Sequence, residues 1–136
     1  MLSRFFRLSA PEQLLRVAVA FAFLYPAIDA VFEPSMWLGY LPPFATAAFH
    51  VLAVPLKISD VVLLHAFGLL EFALALWLLA GRSVRIPAVL MAVILFIIVG
   101  LNLDPASFSV VFRDISIALA ALAIAFMPTG VSQKHG

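Results

Sequence analysis

The sequence predicts an all-α integral membrane four-helix bundle, with an additional short interfacial or re-entrant helix between spans one and two. Three observations predict it. Apolar residues fill 65% of the 136 positions and charged residues 11%, against roughly 45–50% and about 25% in soluble domains. Mean hydropathy is +1.18, more apolar surface than a water-soluble fold of this length can hide. The apolar residues also fall into four runs, approximately 14–32, 61–80, 87–101 and 108–127, separated by proline, glycine and charge. Length argues for a single transmembrane domain over 1–136.

Charge and cysteine usage exclude several classes. A net charge of +1 argues against a nucleic-acid partner. The chain has no cysteine, which removes thiolate nucleophiles, disulfide exchange, iron–sulfur clusters and zinc–thiolate sites.

Each element has its own local signals. Positions 1–8 mix Arg4 and Arg7 with Phe5 and Phe6, as suits a segment at headgroup depth. Ser9 and Glu12 form a capping box that opens the first span. A cleaved leader is the rival reading of this end. The apolar run is longer than a usual leader core, and Ala18, Ala22, Tyr25 and Asp29 share a helical face, which favours an uncleaved span. Pro26 withholds a donor from the Ala22 carbonyl, so a kink is expected there. Pro34 ends the span, and Trp37 and Tyr40 suit an interfacial belt. Pro42 and Pro43 bar a local helix. The run 44–56 is apolar but too short to cross a bilayer, hence the extra interfacial or re-entrant helix. Asp60 is expected to cap the second span, Gly81 to end it and Trp77 to mark its inner interface. The third span opens near Pro87 and has no polar side chain before Asn102. A turn at 102–105 leads into the fourth, which closes before Pro128.

Orientation follows from the basic residues. With the N-terminus in the cytoplasm, Arg4, Arg7, Arg16, Arg82, Arg85 and Lys134 all lie inside, and only Lys57 and Arg113 fall towards the other face. Four spans then put both termini in the cytoplasm of a bacterial-type inner (plasma) membrane.

An ionisable group inside a span costs several kcal/mol unless it is paired, neutralised or wetted. Asp29, His65, Arg113 and Asp114 are expected to form one polar layer near the outer face, with Glu71 about two turns deeper than His65. Asp114, Ala118, Ala121 and Ala125 make an inward stripe of small residues. Arg113, about 100° away, can pair inward or snorkel outward. Asp60, Gly68 and Glu71 share a face of the second span, while His65 is turned from Glu71 by about 120°. Each has a structural reading beside its functional one. Arg113 with Asp114 or Asp29 fits a register-setting ion pair, and His65 fits a packed histidine on a backbone carbonyl. Glu71 fits either a structural carboxyl, protonated or bonded to a neighbouring helix, or a ligand-facing or proton-exchanging one.

These blocks resemble the DoxX-like family of small four-span membrane proteins. The resemblance is carried by Arg16 opening the first span with Asp29 at its outer end, by Gly68-Leu-Leu-Glu71 running to Gly81 and Arg85, and by Arg113-Asp114 opening the fourth. The second block is the most specific. The family often ends a glycine-rich first span in a lysine; here Ala20, Ala22, Tyr25 and Asp29 stand in that region and the terminal charge is reversed. The resemblance implies an association with membrane redox, since the family is named for a subunit accompanying a quinone-reducing sulfur-oxidising complex. The bundle also looks like that of quinone-linked thiol oxidases, whose chemistry the missing cysteines exclude.

Three functions are therefore open. The first is an accessory or binding component that holds a quinone- or lipid-like amphiphile at Glu71 and the outer polar layer. The second is proton-coupled transport of a small solute through Glu71, weakened by the lack of a second deep ionisable group. The third is a structural subunit that recruits a membrane or peripheral oxidoreductase. A stand-alone enzyme is the least favoured, because His50, His65 and His135 are dispersed; no catalytic residue and no metal site are expected. The bilayer is the expected partner throughout, and a homo-oligomer is compatible with each function.

Overall fold

A computed structural model describes residues 10–40, 50–51, 54–55, 58–103 and 105–127. Its described elements are all helical: α1 Ala10–Phe32, α2 Pro34–Tyr40, α3 Asp60–Ala80, α4 Arg85–Leu101 and α5 Pro105–Phe126. The Ser9 cap, the 1–8 segment, Pro42, Pro43, Lys57 and the tail from 128 lie outside the described residues. Of the 44–56 run, His50, Val51, Val54 and Pro55 are described, and all four are helical.

Local chemistry explains most of the boundaries. Helix α1 runs unbroken through Pro26 and stops one residue short of Glu33. Pro34, read from sequence as a stop, is also a start: it is the first residue of α2, where a missing N–H costs nothing. The cap of α3 is Ser59 and not Asp60. The Ser59 hydroxyl accepts from the Val62 N–H at 3.3 Å. Asp60 is the first helical residue, where its charge suits the positive end of the helix dipole. At the far end Gly81 adopts φ 73° and donates its N–H to the Leu78 carbonyl, a left-handed conformation that favours glycine. Asn102 closes α4 by donating its amide to the Ile98 carbonyl at 2.7 Å. Helix α5 starts at Pro105, three residues before the expected position 108.

Helices α1 and α3 form one close pair, and α4 and α5 form another. Looser contacts join α1 to α5 and α3 to α4, and α2 lies against α1 and α3. The buried residues recur every three or four positions, as packed helices require. Ala20, Phe23, Ala27 and Ala30 line α1, Leu64, Gly68, Ala75 and Leu78 line α3, and Ala88, Met91, Leu95 and Val99 line α4. In α5 the stripe is Val111, Ala118, Ala121 and Ala125. The outer surface is apolar as well, with Leu14, Phe32, Leu69, Phe112 and Phe126 exposed. Helices α1 and α3 are long and apolar enough to cross a membrane by length and composition. Helix α4 is apolar and has 17 residues.

The α1–α3 pair closes on Gly68, where an added Cβ would stand 3.5 Å from the Ala27 carbonyl oxygen. Gly68→Ala therefore fits as ordinary contact, whereas Gly68→Leu must push α1 away. The leucine variant is expected to lose about 1–3 kcal/mol of stability and the alanine variant to stay close to wild type, as read by thermal unfolding in detergent.

Candidate functional site

Two carboxylates stand on inward stripes. Glu71 continues the α3 series Leu64, Gly68, Ala75, Leu78, and Asp114 continues the α5 series Val111, Ala118, Ala121, Ala125. Both side chains are half-buried. Helices α3 and α5 descend from the same end, since α4 returns from α3 through the short turn at 81–84 and α5 in turn runs opposite to α4. Contacts between Ala30 and His65 and between Ala27 and Gly68 set the same antiparallel run for α1 with α3. The bond from Arg85 to Ala125 sets it for α4 with α5. Glu71 is eleven residues below Asp60, and Asp114 is nine below Pro105. Counted from the first residue of each helix, at about 1.5 Å per residue, their positions differ by about 3 Å, and the charge of Asp114 reaches Glu71. The expected arrangement set Asp114 in an outer layer and Glu71 about two turns deeper than His65; counted from its observed start, α5 carries Asp114 nearer to the depth of Glu71. Among the described residues Glu71 has no hydrogen-bond partner.

Arg113 lies beside this pair but points outward. Its side chain is 67% exposed, and its Nε is 3.9 Å from the Asp114 Oδ1, a distance that makes an ion pair without a hydrogen bond.

The other two expected site residues lie elsewhere. Asp29 accepts from the Trp37 indole N–H at 3.1 Å and so holds α2 against the end of α1. The His65 Nε2 is 3.3 Å from the Ala30 carbonyl oxygen, a bond in which the ring donates across the α1–α3 contact. Asp29 also borders an open groove of about 270 Å³ on α1, together with Phe21, Leu24, Tyr25, Ile28 and Phe32. The structure thus brings Glu71, Asp114 and Arg113 together and leaves Asp29 and His65 at the helix ends. At that same end Asp60 lies 3.3 Å from the His50 Nδ1.

The opposite end holds Arg16, Trp77, Arg82 and Arg85, read from sequence as the inner end of the spans. Arg16 is 4% exposed. Its Nη2 donates to Glu12 one turn earlier, its Nη1 approaches Gly81, and its Nε has no partner. The spacing of Glu12 and Arg16, four apart on one helix, was the available signal. Arg85 donates from Nε to the Ala125 carbonyl at 2.9 Å, and Trp77 donates to the Arg82 carbonyl at 2.7 Å. Cations thereby meet the negative ends of α3 and α5.

If Glu71 and Asp114 sense each other, their substitutions will not add. The change in thermal stability caused by Glu71→Gln is expected to differ by at least about 0.5 kcal/mol between the wild-type and Asp114→Asn backgrounds. Equal changes in the two backgrounds would show independent carboxyls. No family model, curated protein or solved structure matches the chain.

Proposed function

We propose that this is a multi-pass protein of a bacterial-type inner membrane, of DoxX type. In this reading it is an accessory component of membrane redox that binds the polar head of a quinone- or lipid-like amphiphile at Glu71 and Asp114. Helices α1, α3, α4 and α5 cross the bilayer as a bundle. The end bearing Arg16, Arg82 and Arg85 faces the cytoplasm, and the end bearing Asp29, Glu33 and Asp60 faces outward, in keeping with the positive-inside rule. The observation that carries the binding role is the half-buried Glu71 carboxyl on an inward stripe, with no hydrogen-bond partner among the described residues. Asp29, His65, Arg16, Arg85 and Asn102 each have a protein partner; Glu71 has none among the described residues. A carboxyl can donate to a quinone carbonyl when protonated and accept from a hydroxyl in either state. Apolar walls with few convergent polar groups are what an amphiphile needs.

The second reading, proton exchange at Glu71 coupled to solute movement, gains from Asp114. A partner carboxyl at the same depth gives a proton a second place to rest.

The two readings separate on one residue. Titration of the detergent-purified protein with a short-chain quinone, followed by the fluorescence of Trp37 and Trp77, is expected to show saturable binding. Glu71→Leu should weaken it about tenfold or more, the loss of a hydrogen bond to a group of this kind. Glu71→Gln keeps an N–H donor and should retain much of the affinity, whereas proton-coupled flux into proteoliposomes would be abolished by the same change. Absence of saturable binding, or unchanged affinity in Glu71→Leu, overturns the amphiphile reading.

A further inference from the structure

The lipid-facing side of α1 is not uniform. Phe21, Leu24, Tyr25, Ile28 and Phe32 wall the open groove of about 270 Å³ that Asp29 borders. The groove follows the helix from Phe21 to Phe32, eleven residues on, or about 16 Å at 1.5 Å per residue. The apolar core of a bilayer is about 30 Å thick, so the groove has the depth of one leaflet. Asp29 stands three residues from the end of α1, at the level where tails meet headgroups. The Trp37 indole donates to its Oδ2 at 3.1 Å, which leaves the Oδ1 able to accept another donor. Charge at this end is one-sided. Asp29, Glu33, Asp60 and Asp104 belong to it, against the single lysine Lys57. Arg113, deeper on α5, already faces Asp114 at 3.9 Å, and Arg16, Arg82 and Arg85 are gathered at the opposite end.

We propose that this groove holds one tail of a phospholipid whose head carries a primary ammonium, and that the ammonium donates to Asp29. The proposal rests on the reading of α1 as a membrane span, and its site is separate from Glu71 and Asp114. Length selects the tail. A groove one leaflet deep, walled by apolar side chains and closed at its outer end by a carboxylate, matches a lipid laid along the helix with its head at Asp29. Phe21 and Tyr25, with ring centroids 6.2 Å apart, give one side of the groove a broad apolar surface. Charge selects the head. A primary ammonium gives a carboxylate a charge-assisted hydrogen bond. A quaternary ammonium has no N–H to give, and an anionic head is repelled by the acidic end. Asp29 also fastens α2 through Trp37, so a head bound there steadies the corner between α1 and α2.

The chain has two tryptophans, and one of them is bonded to Asp29. Trp77→Phe leaves Trp37 as the sole indole, a reporter at the head of the groove. The full chain with this change is reconstituted into phosphatidylcholine vesicles. These carry rising fractions of phosphatidylethanolamine or phosphatidylglycerol with brominated tails, which quench a nearby indole. The ethanolamine lipid is expected to reach half-quenching at about a threefold lower fraction than the glycerol lipid, the effect of an ion pair at an exposed site. Asp29→Asn keeps an amide oxygen for the Trp37 N–H and should bring the two curves together. Ile28→Phe, on the exposed wall, narrows the groove and should weaken quenching by the ethanolamine lipid with Asp29 in place. Glu71→Leu, which removes the amphiphile site proposed above, should leave the preference as it is. Equal quenching by the two lipids overturns the proposal, as does a preference that survives Asp29→Asn or is untouched by Ile28→Phe. A preference lost in Glu71→Leu also overturns it, by moving the lipid to the other site. Quenching by neither lipid would remove the spanning of α1 on which the proposal rests.

Discussion

Charge is scarce in this chain and costly wherever water is excluded, and the arrangement of the helices follows from how each charge finds a partner. With 65% of its residues apolar, the protein has little polar surface to spend at random. The described ionisable groups fall into two end clusters and one central group. At one end Arg16 meets Glu12 and Gly81, and Arg85 meets Ala125. At the other, Asp29 meets Trp37, Asp60 meets His50, and His65 meets Ala30. These contacts fasten helix ends that carry unpaired backbone groups of their own. The central group of Glu71, Asp114 and Arg113 does no such work, since none of its members is bonded to a helix end.

Small residues decide how closely the helices can approach, and thereby where the central group sits. Gly68 meets the Ala27 backbone in the α1–α3 pair, and Ala118, Ala121 and Ala125 are buried along α5, which packs closely on α4. Backbones come together at such positions because nothing stands between them. Glu71 is one turn below Gly68, and Asp114 is one turn above Ala118. Each carboxylate is thus held at a fixed depth by the small residue beside it.

Much of this was legible from residue order. Gly81 as the end of α3, the turn after Asn102, the inward stripe of Asp114 and the shared face of Gly68 and Glu71 all follow from spacing and turn chemistry. The pairing of Glu71 with Asp114 was not legible, because relative depth depends on where two separate helices begin. Reading α5 from position 108 instead of Pro105 shifted Asp114 by about 4.5 Å. Helix α2 was hidden because Pro34 serves two roles, ending one helix and opening the next. Asp60 was taken for the cap because both Ser and Asp cap well, and only the geometry separates Ser59 from its neighbour. Arg16 was read as opening the first span, and its burial was not legible because the approach to Gly81 is a contact between distant parts of the chain.

The two carboxylates belong to different close pairs, Glu71 to α1–α3 and Asp114 to α4–α5. Between those pairs the contacts are fewer. A helix pair locked by glycine and alanine resists opening, since separating it forfeits packing along its whole length. A junction with fewer contacts has less to forfeit. An amphiphile that reaches Glu71 would therefore pass between the pairs and not through either of them. On that path its apolar tail would replace contacts of similar character, and its polar head would meet a carboxyl from each side. In the proposed function the site needs both helices, since neither pair alone carries more than one of the two acids.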